Sequence, residues 1–553
     1  MKPKNIEPSF KFRKHMSIGS LGAEEDDLFL QSCFIDTGDF DIALATNAPQ
    51  SIILGRTGAG KTALLEKVKL ECENVIELNP EELSLSYISN SDILSFISKI
   101  GVNLDLFFQL LWRHIFSVEL IKKKYNIGNE DQVKNFFSSF SFSFKKDRKK
   151  EKAIEYLNQW GSQFWLETDI RVQEITQKIE SEISSKVDLS SYGVPISSEG
   201  ALRLNDEQKL DISERATKVV NSVQIQQLND LIRFLGDEVF DDLQNKFYII
   251  IDKLDENWVD DSIRHELIRA LIETIKSFRN IRPVKILISL RKDLLDRVIA
   301  RTSYQGFQPE KYKDLYLPLK WNRDELYDLV SKRIGQLFRE QYTSKPVTYE
   351  DVFSETVGTQ NSIDFMLDRT LMRPRDIIYY VNQCISISQG KSKITAQTIR
   401  DSEISYSKDR LDSLSYEWGA DYPLFHIYTN ILRRKPSVFT HSDISREMID
   451  ELCIELILNE TNSNDPVKKW AINYYEKGEF SRSIFLNRLL SVFYKIGIIG
   501  IKKDSHSSVV WYQDNDLSIS ESEFKRSSFI HIHPLVWREL GIIPKSNTKK
   551  KGH

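Results

Sequence analysis

Ser51-Ile52-Ile53-Leu54-Gly55-Arg56-Thr57-Gly58-Ala59-Gly60-Lys61-Thr62 is the stretch on which the reading of this 553-residue chain turns. A short apolar run stops on a glycine, and Ala63-Leu64-Leu65-Glu66-Lys67-Val68 after the loop has helical character, so the segment reads as strand, loop and helix. Glycines at 55, 58 and 60 let the backbone curl around an anion, and Arg56, Thr57 and Ala59 complete the curl. Successive N–H groups and the positive end of the following helix would then point at a β-phosphate. Lys61 adds a mobile cation for the β- and γ-oxygens, and Thr62 offers a hydroxyl to Mg²⁺. The pattern therefore predicts a nucleoside triphosphate and Mg²⁺ as cofactors. A guanine-reading Asn-Lys-x-Asp run is missing, since Asn245-Lys246 continues into Phe247-Tyr248, which favours ATP.

A metal at Thr62 needs a carboxylate from the end of another strand. Phe247-Tyr248-Ile249-Ile250-Ile251 is a continuous apolar run that ends on Asp252, the expected Mg²⁺ carboxylate. Hydrolysis needs a group to orient and polarise water against the γ-phosphate; Glu256 is the first choice and Asp255 the second, in Asp252-Lys253-Leu254-Asp255-Glu256. Arg291, at the end of Ser289-Leu290-Arg291, and Arg375, in Arg373-Pro374-Arg375-Asp376, are candidate γ-phosphate detectors. Each could equally form a structural ion pair, with Asp293 and Asp376 as the nearby acids.

Further strands are expected at Asn74–Leu78, Val284–Leu290 and Leu315–Leu319, the last as an edge strand because it holds Pro318. Alternation with helices predicts a parallel α/β core. The distance from Leu78 to Phe247 exceeds one crossover helix and implies a large helical insertion. In it Leu104 to Ile121 is apolar and aromatic, and Val172, Ile175, Ile179, Ile183 and Lys186 recur at helical spacing, which allows a coiled-coil arm. The expected division is 1–82 for the amino-terminal segment and first half of the core, 83–244 for the insertion and 245–321 for the second half. It continues with 322–412 for a helical lid, 413–544 for a winged helix and 545–553 for a disordered tail. The winged helix rests on helices at Ile444–Leu458 and Ile484–Tyr494, followed by a hairpin of Gly497–Lys502 with Ser508–Tyr512.

Net charge of −4 gives no global field toward nucleic acid or an anionic membrane. Cys33, Cys72, Cys384 and Cys453 lack metal-ligand spacing. No run of about 18 apolar residues suggests a membrane span, and a cytoplasmic protein without membrane partners is expected. His531 and His533 have no third ligand nearby in sequence, and Trp112, Trp160 and Trp165 read as filling the insertion's core or a partner groove.

The apolar-Asp-x-Leu-Asp-Glu pattern at Ile251–Glu256 resembles that of NACHT and other STAND signalling ATPases, which are related to AAA+ proteins. A bacterial subgroup of such ATPases, often found in anti-phage defence or stress settings, is more similar still. Its pattern is matched by Ala23-Glu24-Glu25-Asp26, Cys33-Phe34, the Gly55–Thr62 loop, Trp258, Leu290–Asp293, Trp321-Asn322 and Arg373–Asp376. Lys495–Gly500 and His533–Trp537 complete it, while the stretch from about Leu83 to Gln244 lies outside the resemblance. The resemblance implies an α/β P-loop core with a parallel sheet of the additional-strand type, in a slow, partner-regulated ATPase with a lid and a terminal winged helix, in which ATP sets an on/off state. Trigger and output are then expected in a partner effector or sensor protein, with homo-oligomerisation left open. The competing reading is an origin-recognition-like DNA-binding ATPase, for which Arg433-Arg434-Lys435, Lys502-Lys503 and the basic run Lys145–Lys150 supply local charge. A GTPase or P-loop kinase is weaker, since Glu256 has no obvious task in a kinase.

Overall fold

Phe247, Tyr248, Ile249, Ile250 and Ile251 are all buried, as expected of a strand covered on both faces, where each apolar side chain contributes roughly 1.5–3 kcal/mol. The computed structural model describes residues 10–82, 104–127, 152–153, 155–157, 222–256, 258–259, 261–302, 308–339, 346–460, 464–502, 506–515, 523–524 and 529–544. The chain divides into two compact units.

The unit formed by Asp36–Arg56 and Gly60–Leu319 is built on a five-stranded parallel sheet. Its strands are β1 (Ile52–Gly55), β2 (Val75–Leu78), β3 (Phe247–Ile251), β4 (Val284–Arg291) and β5 (Tyr316–Pro318). Their order is β2-β3-β4-β1-β5, so β4 is the strand inserted between the glycine-loop strand and the Asp252 strand. Pro318 sits on the edge strand, where its missing N–H costs no ladder bond. Helix α1 (Lys61–Glu71) follows β1, α2 (Asp105–Tyr125) lies in the expected insertion, and α3 (Asp261–Phe278) and α4 (Lys292–Thr302) flank β4. Trp112 is buried beside Phe116 of α2, and its indole N–H donates to Leu267 O of α3 at 2.9 Å, so the core it fills is shared with α3, whose Arg269 is paired with Asp105 of α2. Trp160, Trp165, the Val172–Lys186 pattern and the Lys145–Lys150 run lie outside the described residues.

Lys285 of β4 is buried, with Nζ donating to Ala45 O at 2.9 Å and Ala48 O at 2.7 Å. Burial, followed by the charge of Arg279, lowers its pKa from 10.5 to about 8. Below pH 8 the ammonium is charged in both folded and unfolded chains, and the whole cost of burying it is present. Between pH 8 and 10.5 only the unfolded chain keeps the proton, so stability rises with pH in that window. At about 1.4 kcal/mol per tenfold in proton affinity, the rise is on the order of 3 kcal/mol. Urea unfolding at pH 7.5 and 10 should show this rise in the wild type and not in Lys285→Met; equal pH dependence in both would exclude Lys285 as its source.

The unit formed by the described parts of Met1–Ile35, Thr57–Ala59 and Lys320–His553 is mainly helical. It holds α5 (Arg323–Phe338), α6 (Pro374–Ile387) and α7 (Ala396–Glu417). A capping box starts α5: Asn322 Oδ1 accepts Glu325 N at 2.9 Å, and Glu325 Oε2 accepts Asn322 N at 2.8 Å. Between α5 and α6 the chain forms a small hairpin, β6 (Thr356–Val357) with β7 (Gln360–Asn361), which the helical reading of this stretch did not include. Beyond α7 come β8 (Val438–Phe439), α8 (Arg446–Leu458), α9 (Pro466–Tyr475), α10 (Arg482–Ile496), β9 (Ile499–Lys502) and β10 (Phe529–Ile532).

The strands β8, β10 and β9 form an antiparallel sheet in that order, which corrects the expected hairpin. β9 pairs with Phe529–Ile532, and Ser508–Tyr512 contributes a single bridge between Val510 and Ile501. The physical difference is periodicity: β10 buries Ile530 and Ile532 and turns Phe529 and His531 outward, whereas residues 509–512 are uniformly half-buried. His533 leaves the strand, and its Nδ1 accepts Leu535 N at 3.2 Å.

Phe10 and Phe12 belong to this unit's core, with ring centroids 4.6 and 5.4 Å from that of Phe338. Asp26, from the acidic stretch, is buried: one carboxylate oxygen accepts Arg333 Nη2 at 2.6 Å and the other accepts Ser20 N at 2.8 Å. Asp26→Ala leaves a buried guanidinium unpaired and is expected to cost about 3–5 kcal/mol, read as a lower urea midpoint. An unchanged midpoint would show that the pair holds nothing together.

Candidate functional site

The register of the sheet brings the sequence candidates together. Ile251 of β3 lies opposite Ile288 of β4, so Asp252 follows beside Ser289; Gly55 of β1 lies opposite Arg291. Thr62 Oγ1, in the first turn of α1, donates to Asp252 Oδ2 at 2.8 Å. Ser289 Oγ donates to the other carboxylate oxygen. Lys61 Nζ folds back along the loop, 3.2 Å from Gly55 O and 3.3 Å from Arg56 O. The N-cap of α1 is Gly60, with φ of 96° and no side-chain cap, and no acid occupies the first turn. That helix end therefore presents backbone N–H groups and a positive dipole to an anion.

A hydroxyl and a carboxylate form a hard oxygen donor set, suited to Mg²⁺ that takes its remaining ligands from water and phosphate. Among the described residues, no group of three or more His, Cys, Asp or Glu side chains forms an all-protein metal cage. Thr62 and Asp252 would thus hold the ion jointly with a nucleotide.

Lys253, just past Asp252, has φ of 60°, a conformation that costs a non-glycine residue roughly 1–3 kcal/mol. It turns the chain sharply at the strand end. Arg264 Nη1, from α3, donates to Glu256 O at 2.8 Å and holds the end of that turn. The Glu256 side chain is exposed, and burial first, then the nearby charges of Asp255, Glu81 and Asp252, raise its carboxyl pKa against the opposing effect of Lys253. A raised carboxyl is a better proton acceptor than an ordinary glutamate. Arg291 forms a fork with Asp293, at 3.0 Å from Nε and 2.9 Å from Nη2, and its Nη1 is 3.8 Å from Asp255. The ion-pair alternative foreseen for this arginine is the arrangement present.

The tip of the loop, Thr57–Ala59, is gripped within the helical unit. Arg373 Nη1 donates to Thr57 O at 2.8 Å, Trp321 Nε1 to Ala59 O at 2.8 Å, and Arg375 N to Gly58 O at 3.4 Å. Gly58 has φ of 80°, and a Cβ placed there would lie 2.7 Å from Arg375 Cβ, so only glycine fits. Arg375 is half-buried and donates Nε to Leu21 O at 3.2 Å. Burial, and then Arg410, lower its pKa. Its foreseen partner, Asp376, is engaged elsewhere: it pairs with Arg410 at 2.9 Å and accepts Leu371 N at 3.0 Å.

Three participants escaped the sequence reading. Ser289 was signalled only as a hydroxyl interrupting an apolar strand. Arg373 is signalled only by the proline at the first helical position, which marks it as the N-cap of α6. Trp321 was noted as part of a pattern without a task.

Comparison with known proteins adds two likenesses. Residues 324–415 match a protein-family model described as the FunZ-associated C-terminal helical domain. Among solved structures the chain is similar to the Walker-type ATPase paby2304 of Pyrococcus abyssi, at 13% identity, over 94% of this chain and 99% of that one, with a TM-score of 0.35. No curated protein matches. Among the described residues, no helix is long and apolar enough to cross a membrane.

Proposed function

We propose that this protein binds Mg-ATP on the Gly55–Thr62 loop, hydrolyses it slowly, and uses it to drive a molecular switch or assembly step. The observation that carries the reading is the 2.8 Å contact between Thr62 Oγ1 and Asp252 Oδ2, which joins two motifs 190 residues apart in sequence. In this reading Lys61 neutralises the β- and γ-phosphates, Thr62 and Asp252 hold Mg²⁺, and Glu256 orients water with Asp255 beside it. Arg291 leaves Asp293 to meet the γ-phosphate, and Arg375 reports the nucleotide to residues 322–412, read as a lid. The family match at 324–415 supports treating that segment as a module of its own. Helices α8 to α10 with the β8-β10-β9 sheet support reading 413–544 as a winged helix. The resemblance to STAND ATPases supports reading the switch as part of a bacterial signalling or anti-phage defence module in the cytoplasm, with a separate effector or sensor protein.

A second reading is an origin-recognition-like DNA-binding ATPase that uses the C-terminal winged helix, for which Arg433 and Arg434 are exposed; phosphate contacts there would make binding fall steeply with salt. Sizing of Glu256→Gln with and without ATP, and with and without short duplex DNA, separates the readings. ATP-dependent assembly without DNA supports the switch. A DNA-dependent shift lost at moderate salt supports the second reading, and no shift of either kind counts against both.

A further inference from the structure

We propose that Trp321 and Arg373 are positioning residues that set the phosphate-binding amides of the loop by holding the carbonyls on the opposite side of the same peptide planes. The inference rests on the reading of Gly55–Thr62 as a nucleotide loop and assigns the machinery that shapes it.

In a planar trans peptide the C=O of one residue and the N–H of the next point in opposite directions. Donors that draw the carbonyls of Thr57, Gly58 and Ala59 one way turn the N–H groups of Gly58, Ala59 and Gly60 the other way. The two side-chain donors reach Thr57 O and Ala59 O at 2.8 Å each, and the backbone N–H of Arg375 reaches Gly58 O at 3.4 Å. The grip therefore falls on three consecutive peptides, whose N–H groups are those a β-phosphate would need. A run of like-directed amides is otherwise unfavourable, because their dipoles repel until an anion arrives.

The donors are themselves held. Arg373 is buried, and its Nη1 also meets Glu417 Oε2 at 3.2 Å. Its Nε and Nη2 are buried without a hydrogen-bond partner, as is Thr57 Oγ1. Leaving buried donors unmatched is costly, so the bonds of Nη1 to Thr57 O and Glu417 Oε2 are the ones that hold this arginine. Met372 before it takes φ of 52°, and Leu371 N is fastened to the buried carboxylate of Asp376. The chain accepts local strain where it delivers Arg373 to Thr57.

The test is an equilibrium titration of ADP and ATP into wild type, Trp321→Phe, Arg373→Met, Arg373→Lys and Lys61→Ala, with thermal unfolding of each nucleotide-free protein. ³¹P NMR of ADP bound at saturation completes it. Trp321→Phe and Arg373→Met are each expected to weaken both nucleotides about tenfold, the scale of one charge-assisted or well-aligned hydrogen bond. Arg373→Lys, which keeps a donor, should recover part of the loss. The β-phosphorus resonance of bound ADP should move toward its free position in the weakened variants while the α-phosphorus resonance stays. A purely structural contact would not produce that pattern. Wild-type affinity and an unmoved β-resonance in Trp321→Phe and Arg373→Met, with binding lost in Lys61→Ala, would overturn the inference and spare the nucleotide loop. Weakening that only tracks a lower unfolding midpoint would also overturn it. Wild-type binding in Lys61→Ala would bring down the loop reading and the inference together.

Discussion

Lys61→Ala is expected to lower ATP turnover by at least about a hundredfold, the scale seen when one preorganised electrostatic donor is removed from a reacting oxyanion. Lys61 is the loop's cation, and its Nζ meets Gly55 O and Arg56 O at 3.2 and 3.3 Å. Those are neutral acceptors, and phosphate oxygens would compete for the ammonium on charge alone. Asp252→Ala should fail for a different reason: it removes the carboxylate that meets Thr62 Oγ1 and Ser289 Oγ, and with it the expected Mg²⁺ position. A phosphate-release assay at saturating Mg-ATP reads both. Wild-type turnover in either variant would remove that residue from the site.

Glu256→Gln is expected to separate binding from chemistry. The side chain is exposed and lies past the strand end, so its loss should disturb neither β3 nor the loop. In the proposed mechanism it is the proton acceptor of the Asp252–Glu256 turn, a role its raised carboxyl pKa suits, and loss of a general base lowers rates by roughly 10²–10⁴-fold. ATP should therefore bind with near wild-type affinity while single-turnover hydrolysis slows by that range. Undiminished single-turnover hydrolysis would transfer the role to Asp255, and its double substitution with Glu256 would then decide between them.

The interior of the sheet was legible because β1 and β3 are continuous apolar runs of the kind a doubly covered parallel sheet demands, and because the glycine loop fixes which end binds. Asp252 was legible for the same reason: it is the first charge after five apolar residues. The arginines were not, since a charged side chain at a strand end serves an ion pair or a ligand equally well. Arg291 takes the local pair with Asp293 that the sequence left as one of two options, while Asp376 pairs with Arg410, 34 residues on, rather than with its neighbour Arg375. The β9 partner was misread because Ser508–Tyr512 is nearer in sequence and rich in β-branched and aromatic residues, whereas burial alternation selects Phe529–Ile532. The grip on Thr57–Ala59 has almost no local signature, because backbone carbonyls bound by Trp321 and Arg373 leave no trace in residue type.

The central claim is that Thr62 and Asp252 form one Mg²⁺–nucleotide site. Calorimetric titration of ATP into wild type and Asp252→Asn, each with and without Mg²⁺, tests it most directly. The account predicts that Mg²⁺ strengthens ATP binding to the wild type by at least tenfold and has no comparable effect on Asp252→Asn. Equal Mg²⁺ dependence in the two proteins, or ATP binding indifferent to Mg²⁺ in both, would contradict it.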